Sequence, residues 1–527
     1  MRRKSTFLSL FVGLSISSYG LQPVQAADRL VVSYGALQRS VPISAVRTFI
    51  QQGEVTPETR AYATLLNSQQ LSNLRTALQG GVKLGVVSVD NFLNSPSGNA
   101  LLQKVGEIIR IGPNLTGEKA VSAALIISAG KEDGINLVNF LENFPNSQVF
   151  VDGLKLQDTV AKLQNLVAEA RKVGLADPQQ ASVAFTALPG LKDPTEQGPY
   201  RFQQIRLKQS QRPKITDLYL SSAKGPRPVL IISHGLGEDR ETYRYLAEHW
   251  ASHGFHVLVP EHLGSDEKRM LDMLAGRLKK DVVEPQEFIN RPRDITSLLN
   301  YVTLLNKTDT RFRKRLNLKQ VGIYGHSFGG YTALALAGAP LDPPYLRKVC
   351  ADTSQDSLPN LSFLFQCRAQ DNGPLVSLRD PRVKAVIAAS PTSSIVFGER
   401  GVASVAVPTL MVAASDDTVA PVILEQTKTA ALLPDPAYLM TLVGATHFSL
   451  QGVRNMPVPN NLPQFGASST QARESFKAVS TAFWKTYLKT DIRYRAFLEP
   501  GYKPPGGLET RVLSTQRIKQ ASAVPAP

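Results

Sequence analysis

The chain has 527 residues, of which 43% are hydrophobic and 19% are charged, and its formal net charge is +16. This composition is globular, which excludes a wholly disordered or fibrous protein. The length predicts two domains with separate cores. Lys and Arg are scattered along the chain without a recognition module, so we expect no nucleic-acid partner.

The first 26 residues are typical of a secretory signal peptide. Three basic residues precede an apolar stretch that ends in Val24-Gln25-Ala26, a small-x-small cleavage pattern. We therefore predict export, to the periplasm or the medium, and a mature chain that begins near Ala27. Serines and a glycine interrupt the stretch and leave it short for a bilayer, which makes an uncleaved membrane anchor the weaker alternative.

Cleavage would lower the net charge to +13, because Arg2, Arg3 and Lys4 leave with the leader. A basic exported protein can associate peripherally with an anionic membrane surface. A solvated basic surface is the plainer interpretation, and we favour it over a dedicated site.

Residues 27–175 are predicted to form a helical module without catalytic residues. Leu71, Leu74 and Leu78 recur at the spacing of one helix face, and Pro57 follows a potential capping hydroxyl. Such stripes are more often packing faces than ligand sites, and we interpret them as packing faces.

Residues 176–198 are rich in Pro and Gly and are predicted to be a linker. Residues 199–498 alternate strand-like and helix-like segments, which predicts a mostly parallel sheet covered by helices on both faces. Two insertions, 264–290 and 339–380, are placed to form a cap. We expect the tail, 499–527, to be poorly ordered. The strand-like segments after an opening hairpin are PVLIISHG, FHVLVPEH, QVGIYGHS, VKAVIAASP, PTLMVAAS and AYLMTLVG.

Ser327 is the candidate nucleophile. It lies in Gly-His-Ser-Phe-Gly-Gly, between the strand-like QVGIY and the helix-like YTALALA. Flanking glycines let a strand turn sharply into a helix and present the serine at the turn. The motif is weak evidence alone and strong evidence in this setting, where a purely structural turn is the alternative.

A serine hydroxyl needs an imidazole base and a carboxylate that orients it. Of the seven histidines, only His447 follows Ser327, as the chain order of this arrangement requires. Between them, SDDTVAP supplies two adjacent acids at a strand end. We predict Asp417 as the acid, and Asp416 is the alternative.

The backbone amides of Leu236 and Phe328 are the candidate oxyanion donors. Phe328 follows the nucleophile, and Leu236 lies in the His-Gly-Leu-Gly turn after the first parallel strand. In NRPRDI, we expect the charged residues to cap and anchor the following helix; they are Arg291, Arg293 and Asp294. Glu261 and His262 end a strand near the site, but no role in the triad is predicted for them.

Cys350 and Cys367 are the only cysteines, and both lie in the second insertion. Close spacing in an exported protein favours a disulfide over two free thiols. In the same insertion, Phe363 and Phe365, with Leu361 and Leu364, are apolar enough to line an acyl pocket. A cap that only packs on the sheet is the alternative.

From about Pro199 to Leu498 the chain resembles α/β-hydrolases grouped as predicted dienelactone hydrolases and platelet-activating-factor acetylhydrolases. The likeness rests on GPYRF, DLYL, SHGLGEDRETY, NRPRDI, GHSFGGYTAL, SDDTVAP and GATHFS. It implies an α/β-hydrolase fold, a Ser-Asp-His triad, a small-molecule or lipid ester as substrate, and no metal or other cofactor. True dienelactone hydrolases carry a cysteine nucleophile, so their substrate is not implied here.

The segment from about residue 28 to residue 150 is similar to a helical region of unknown function that precedes such hydrolases in some bacterial exported proteins. This resemblance implies a small all-helical domain ahead of the catalytic one, and it implies no chemistry. A peptidase or polyester hydrolase on the same triad, and a non-catalytic binding protein on a hydrolase fold, stay open as alternatives.

Overall fold

A computed structural model describes most of the chain. Residues 1–25 of the predicted leader and residues 176–189 of the predicted linker lie outside the described residues. In the ranges that the structure describes, no helix has the length and hydrophobicity needed to cross a bilayer. The described residues are 26–64, 66–175, 190–278, 281–352, 360–452, 469–504 and 507–522.

A nine-stranded sheet forms the centre of the larger domain. Its strand order is β16-β15-β14-β13-β12-β10-β11-β9-β8. The six strands from β10 to β15 are parallel, and antiparallel strands complete both sides. The strands are β8 (Phe202–Lys208), β9 (Ile215–Ser221), β10 (Arg227–Ser233), β11 (His256–Pro260), β12 (Leu316–His326), β13 (Val383–Ala389), β14 (Thr409–Ala414), β15 (Ala437–Leu442) and β16 (Thr510–Ser514).

The predicted apolar runs form the parallel strands because helices bury both faces of the sheet. One apolar cluster lies on each face, around Phe328 on one side and around Trp484 on the other. The α/β-hydrolase fold expected from the resemblance is therefore confirmed. The helices are α9 (Arg244–Ser252), α10 (Glu267–Leu274), α11 (Glu287–Thr308), α12 (Phe328–Ala337), α13 (Pro343–Cys350), α14 (Leu361–Cys367), α15 (Gly398–Ala403), α16 (Lys428–Leu432), α17 (Ser469–Leu488) and α18 (Thr515–Ser522).

The tail differs from its prediction. Residues 499–527 were expected to be poorly ordered, but β16 pairs antiparallel with β15 along five residues, and α18 follows it. Val512 and Leu513 are buried, as is Ile518. The prediction failed because the Pro, Gly and Ser residues of the tail outnumber the short apolar segment that forms β16. This five-residue strand completes one edge of the sheet.

The N-terminal module contains the predicted helices and also a sheet, so "all-helical" is too narrow a description. Five strands are ordered β2-β1-β7-β4-β5, and β3 pairs with β6. Strands of two to six residues are too short to show a clear period in the sequence. The strands are β1 (Arg29–Tyr34), β2 (Leu37–Pro42), β3 (Gly81–Val82), β4 (Ile109–Gly112), β5 (Leu115–Thr116), β6 (Ile135–Asn136) and β7 (Gln148–Asp152).

The helices of the module pack around a small apolar core centred on Phe144, Val149 and Ala124. Helix α3 carries the predicted leucine face, and α2 begins at Pro57, as its start signal predicts. The helices are α1 (Ile43–Gln52), α2 (Pro57–Ala63), α3 (Ser68–Leu78), α4 (Val86–Leu93), α5 (Pro96–Ile108), α6 (Glu118–Ala129), α7 (Leu137–Glu142) and α8 (Gly153–Lys172).

The module packs against the larger domain at several points. The hydroxyl of Ser88 in α4 donates to the carbonyl of Leu274 in α10. Helix α5 packs on α14, and Arg511 of β16 donates to the carbonyls of Arg171 and Val173 at the end of α8. The module therefore contacts both predicted insertions and the strand that closes the sheet.

Candidate active site

Ser327 lies in a strained turn between β12 and α12. Its φ is 53° and its ψ is −116°, a conformation that L-residues with side chains rarely adopt. The turn is possible because its glycines lack side chains: a Cβ on Gly325 would lie 1.9 Å from the carbonyl oxygen of Gly329, and one on Gly329 would lie 1.9 Å from that of Ser233. The Ser327 amide donates to the carbonyl of Ala389, 2.8 Å away. These contacts hold the serine at the C-terminal edge of the sheet.

Ser327, His447 and Asp417 form one chain of hydrogen bonds. His447 Nδ1 donates to Asp417 Oδ2 at 2.7 Å, which leaves Nε2 as the acceptor for the Ser327 hydroxyl at 3.1 Å. The second carboxylate oxygen of Asp417 accepts from the amides of Val419 and Ala420 at 2.9 and 2.7 Å. Both oxygens of this buried carboxylate are thus satisfied, and its orientation toward the imidazole is fixed.

Asp416 pairs with a residue of the N-terminal module, whereas Asp417 pairs with His447. The Asp416 carboxylate pairs with the Arg171 guanidinium of α8 and accepts from the Ser415 hydroxyl. Burial alone would raise the pKa of Asp416, but the hydrogen bonds from Arg171 and Ser415 outweigh burial and lower it. The geometry therefore favours Asp417 over Asp416 as the partner of the histidine.

The turn after β10 presents the amide of Leu236 beside Ser327's strand. On either side of it, the Gly235 amide donates to Glu238 and the Gly237 amide donates to the carbonyl of Ser265. Within the described ranges, no protein acceptor takes the amides of Leu236 and Phe328. These are the two amides that the sequence indicated as oxyanion donors, and that role stays a prediction.

A buried network joins the turn to the histidine loop. Glu238 accepts from the Gly235 amide at 2.6 Å and contacts His326 Nδ1 at 2.9 Å, and His326 Nε2 donates to the carbonyl of His447 at 2.8 Å. Gln451 and Tyr243 also donate to Glu238. A carbonyl only accepts, so His326 Nε2 carries the hydrogen of the contact with His447. No pattern in the sequence indicated this role for Glu238, although the residue lies in the SHGLGEDRETY motif.

The capping role predicted for Arg291 is wrong. The residue lies inside α11, and its side chain is fully buried. Its guanidinium donates to the carbonyl of His234, to the hydroxyls of Ser233 and Ser265, and to that of Thr332. Burial lowers the pKa of Arg291 to about 10. The residue holds the turn that carries the Leu236 amide.

Asp294 and His262 lie behind the same turn. His262 Nδ1 is 3.0 Å from Asp294 Oδ2, and its Nε2 is 3.1 Å from the Ser233 hydroxyl. Burial raises the pKa of Asp294 to about 6, against the opposing effect of Arg212, and holds the pKa of His262 well below its ordinary value. Asp294 therefore supports β10 and its turn, and the capping role predicted for it is wrong. Glu261, whose pKa burial raises to about 7, lies 3.5 Å from His234 and pairs with Arg240.

Helix α14 covers one flank of the site. Phe365 packs on Phe328, with ring centroids 4.8 Å apart, and Phe363 is a partly buried neighbour of the main core. The predicted disulfide, Cys350–Cys367, is confirmed and ties α14 to α13. The second insertion thus reaches Phe328, the residue that follows Ser327.

The buried carboxylate of Glu425 holds α14 in place. The carboxylate is buried in a π-helical turn (Ile423–Thr427) and accepts from the side chains of Asn360, Ser362 and Gln366 in or next to α14. It also accepts from the amides of Ser393 and Ser394, after β13. One carboxylate therefore fixes the cap helix to a strand end, a function that the sequence did not reveal.

Comparisons with known proteins agree with this architecture. A protein-family profile described as alpha/beta hydrolase of unknown function (DUF1400) matches residues 26–152, and one described as alpha/beta hydrolase fold matches residues 228–366. Relatives include Cutinase 2 of Thermobifida cellulosilytica and Cutinase cut1 of Thermobifida fusca, each 26% identical over 280 residues. The matched part is 53% of this chain and 74% and 60% of these two relatives. The chain therefore has the α/β-hydrolase fold and is similar to cutinases over about half of its length.

Proposed function

We propose that the protein is a serine hydrolase that cleaves carboxylic esters. The observation that carries this proposal is the hydrogen-bonded series from Ser327 through His447 to Asp417, next to two free amides. The similarity to cutinases, which are ester hydrolases, supports esters as the substrate class.

In the proposed reaction, His447 Nε2 takes the proton of the Ser327 hydroxyl while its oxygen bonds to the ester carbonyl carbon. The amides of Leu236 and Phe328 donate to the oxyanion. When this tetrahedral intermediate collapses, the carbon–oxygen bond to the alcohol breaks, and the alcohol leaves with the proton from His447. Water then attacks the acyl-enzyme in the same way, so the acid is released and Ser327 regains its proton. Asp417 keeps the imidazole in the tautomer that both steps need.

The acetylhydrolase-like branch is the finer assignment that we propose from the sequence motifs, with short-chain or lipid-derived esters as substrates. A polyester substrate is the second candidate, favoured by the cutinase relatives. A peptidase uses the same triad, and leaving-group preference is set by the pocket rather than by the triad.

We also propose that the protein works outside the cytoplasm. The Cys350–Cys367 disulfide and the basic, apolar N-terminal segment support export, because disulfides persist in oxidising compartments.

The proposal is tested with p-nitrophenyl esters, p-nitroanilides and a suspended polyester, each offered to the parent protein and to Ser327→Ala. We expect turnover of the esters that falls by about 10⁴-fold or more in the variant. Turnover of anilides alone would favour a peptidase. Ester turnover that Ser327→Ala leaves unchanged, or none by either protein, would contradict the proposal.

A further inference from the structure

An apolar cavity of about 390 Å³ lies between the N-terminal module and the first insertion. Every residue that lines it is hydrophobic except Ser88 and Asn91, and the Ser88 hydroxyl is already bonded to Leu274. The module contributes Leu101, Leu102 and Val105 from α5, and the insertion contributes Met270 and Leu274 from α10. Neither region alone encloses the cavity.

Elements of both walls contact neighbours of the residues that carry the free amides. Met270 packs against Gly237, where an added Cβ would lie 3.2 Å from Met270 Cε, and Gly237 follows Leu236. On the other side, α5 packs on α14, whose Phe365 contacts Phe328. Each wall is therefore joined to a residue with a free amide through an intervening residue or helix, Gly237 on one side and α14 on the other.

We propose that this cavity binds the acyl chain of the ester substrate, an inference that rests on the proposed function. The acyl chain leaves the carbonyl carbon, which the amides of Leu236 and Phe328 would hold, and it continues as hydrocarbon. A hydrocarbon chain has no polar groups to satisfy, whereas a peptide would bury unpaired amides among these side chains. The volume lies within the range of about 300–1,000 Å³ that small-molecule pockets occupy.

The module is thus a wall of the substrate pocket and a determinant of chain length. The second insertion, with Phe363 and Phe365, is a flank of this pocket rather than its main lining. Each methylene that enters the cavity should raise kcat/KM by about fourfold until the cavity is full.

The test is a chain-length profile of kcat/KM for p-nitrophenyl esters from two to twelve carbons. Leu101→Trp and Leu274→Trp fill the cavity from its two walls, and we expect each to lower the ratio of kcat/KM for the ten-carbon ester to that for the two-carbon ester by about tenfold or more. Leu101→Ala enlarges the cavity and should move the best chain length upward. Three variants on two walls keep the test decisive if one of them fails to fold.

Leu71→Trp is the matched control. Leu71 lines a second apolar cavity of about 240 Å³, which the structure forms from residues of the module alone. The same substitution in the same domain should leave the chain-length ratio within twofold of the parent value. Equal profiles for the parent, Leu101→Trp and Leu274→Trp would overturn the inference, and so would a fall in activity with every added carbon in the parent.

A second readout separates failure of this inference from failure of the proposed function. Binding of cis-parinaric acid, a fluorescent fatty acid, is measured with Ser327→Ala and with Ser327→Ala combined with Leu101→Trp. Saturable binding that the second substitution weakens at least tenfold would support the cavity as a site for acyl chains, even if no ester were turned over. Ester turnover without such binding, and with unchanged profiles, would overturn the cavity assignment and leave the proposed function standing.

Discussion

The two domains differ most in what they bury. Among the described residues, the polar side chains buried in the N-terminal module belong to three serines, Ser88, Ser95 and Ser128. The catalytic domain buries Asp, Glu, His and Arg side chains, most of them around the turns that follow the parallel strands. Burying an ionisable group is costly unless it is paired. The contrast agrees with the proposal that the larger domain performs the chemistry and that the module contributes an apolar wall to the cavity.

The contact between α8 and the end of β14 refines this contrast. Asp416 and Asp417 are adjacent, yet one carboxylate pairs with Arg171 of the module and the other with His447 of the site. Asp416 therefore contacts the module and Asp417 contacts the candidate site. Substituting each acid alone separates the effect on docking of the module from the effect on activity.

The largest effect is expected at this pair of acids. Asp417→Asn should lower kcat by about 10⁴-fold, because an amide no longer holds the imidazole in the required tautomer. Asp416→Asn, as the matched control, should leave kcat within about threefold, since it breaks only a partly exposed ion pair. Steady-state ester kinetics check both. Equal losses, or a larger loss for Asp416→Asn, would contradict the division between the acids.

The next largest effect is expected in the free energy of unfolding, when one glycine in each domain is replaced by alanine. Gly329→Ala should lower the free energy of unfolding by about 3 kcal/mol or more, because its Cβ would lie 1.9 Å from the carbonyl oxygen of Ser233. Gly112→Ala in β4 should cost less than about 1 kcal/mol, since the nearest atom to its Cβ is 3.6 Å away. Urea titration measures both. Similar costs would show that the turn at Ser327 is less constrained than the contacts indicate.

Glu238→Gln should have an intermediate effect on stability and on kcat. In Glu238→Gln an NH₂ group replaces one acceptor oxygen, so it would face either the Gly235 amide or His326. We expect a loss of about 1–3 kcal/mol in the free energy of unfolding and a fall in kcat larger than any change in KM. Glu248→Gln, which alters only the pair with Arg244, is the control. A Glu238→Gln protein with parent stability and kcat would rule out a positioning role.

Arg171 should have the smallest effect. Its side chain is 53% exposed, so Arg171→Ala should cost about 0.2–1 kcal/mol and leave kcat unchanged. The pKa of Asp416 is lowered in the folded state, so the pair stabilises at neutral pH, and its contribution is lost as pH falls through that pKa. Urea titrations at neutral and acid pH, with Lys172→Ala as control, measure this. A large loss of activity would mean that docking of the module shapes the site.

Much of the site was predictable because parallel strands end at one edge of the sheet. Ser327, His447 and the acid follow three different strands, so chain order and strand ends were sufficient to select them. The choice between Asp416 and Asp417 remained open because it depends on Arg171, which lies 245 residues earlier in the chain.

Other features depend on burial that the sequence does not show. The charges of Arg291 and Asp294 suggested a helix terminus, yet both side chains are buried behind the turn after β10. The edge strand β16 forms only because β15 is available as a partner, which a five-residue segment in a Pro-rich tail does not indicate.

Covalent labelling tests the central claim most directly. The parent protein is treated with a fluorophosphonate, and the adduct is located by mass spectrometry. We expect one adduct on the peptide that contains Ser327, much slower labelling of His447→Ala, and none of folded Ser327→Ala. Labelling at another serine, or labelling that survives in Ser327→Ala, would contradict a nucleophilic Ser327.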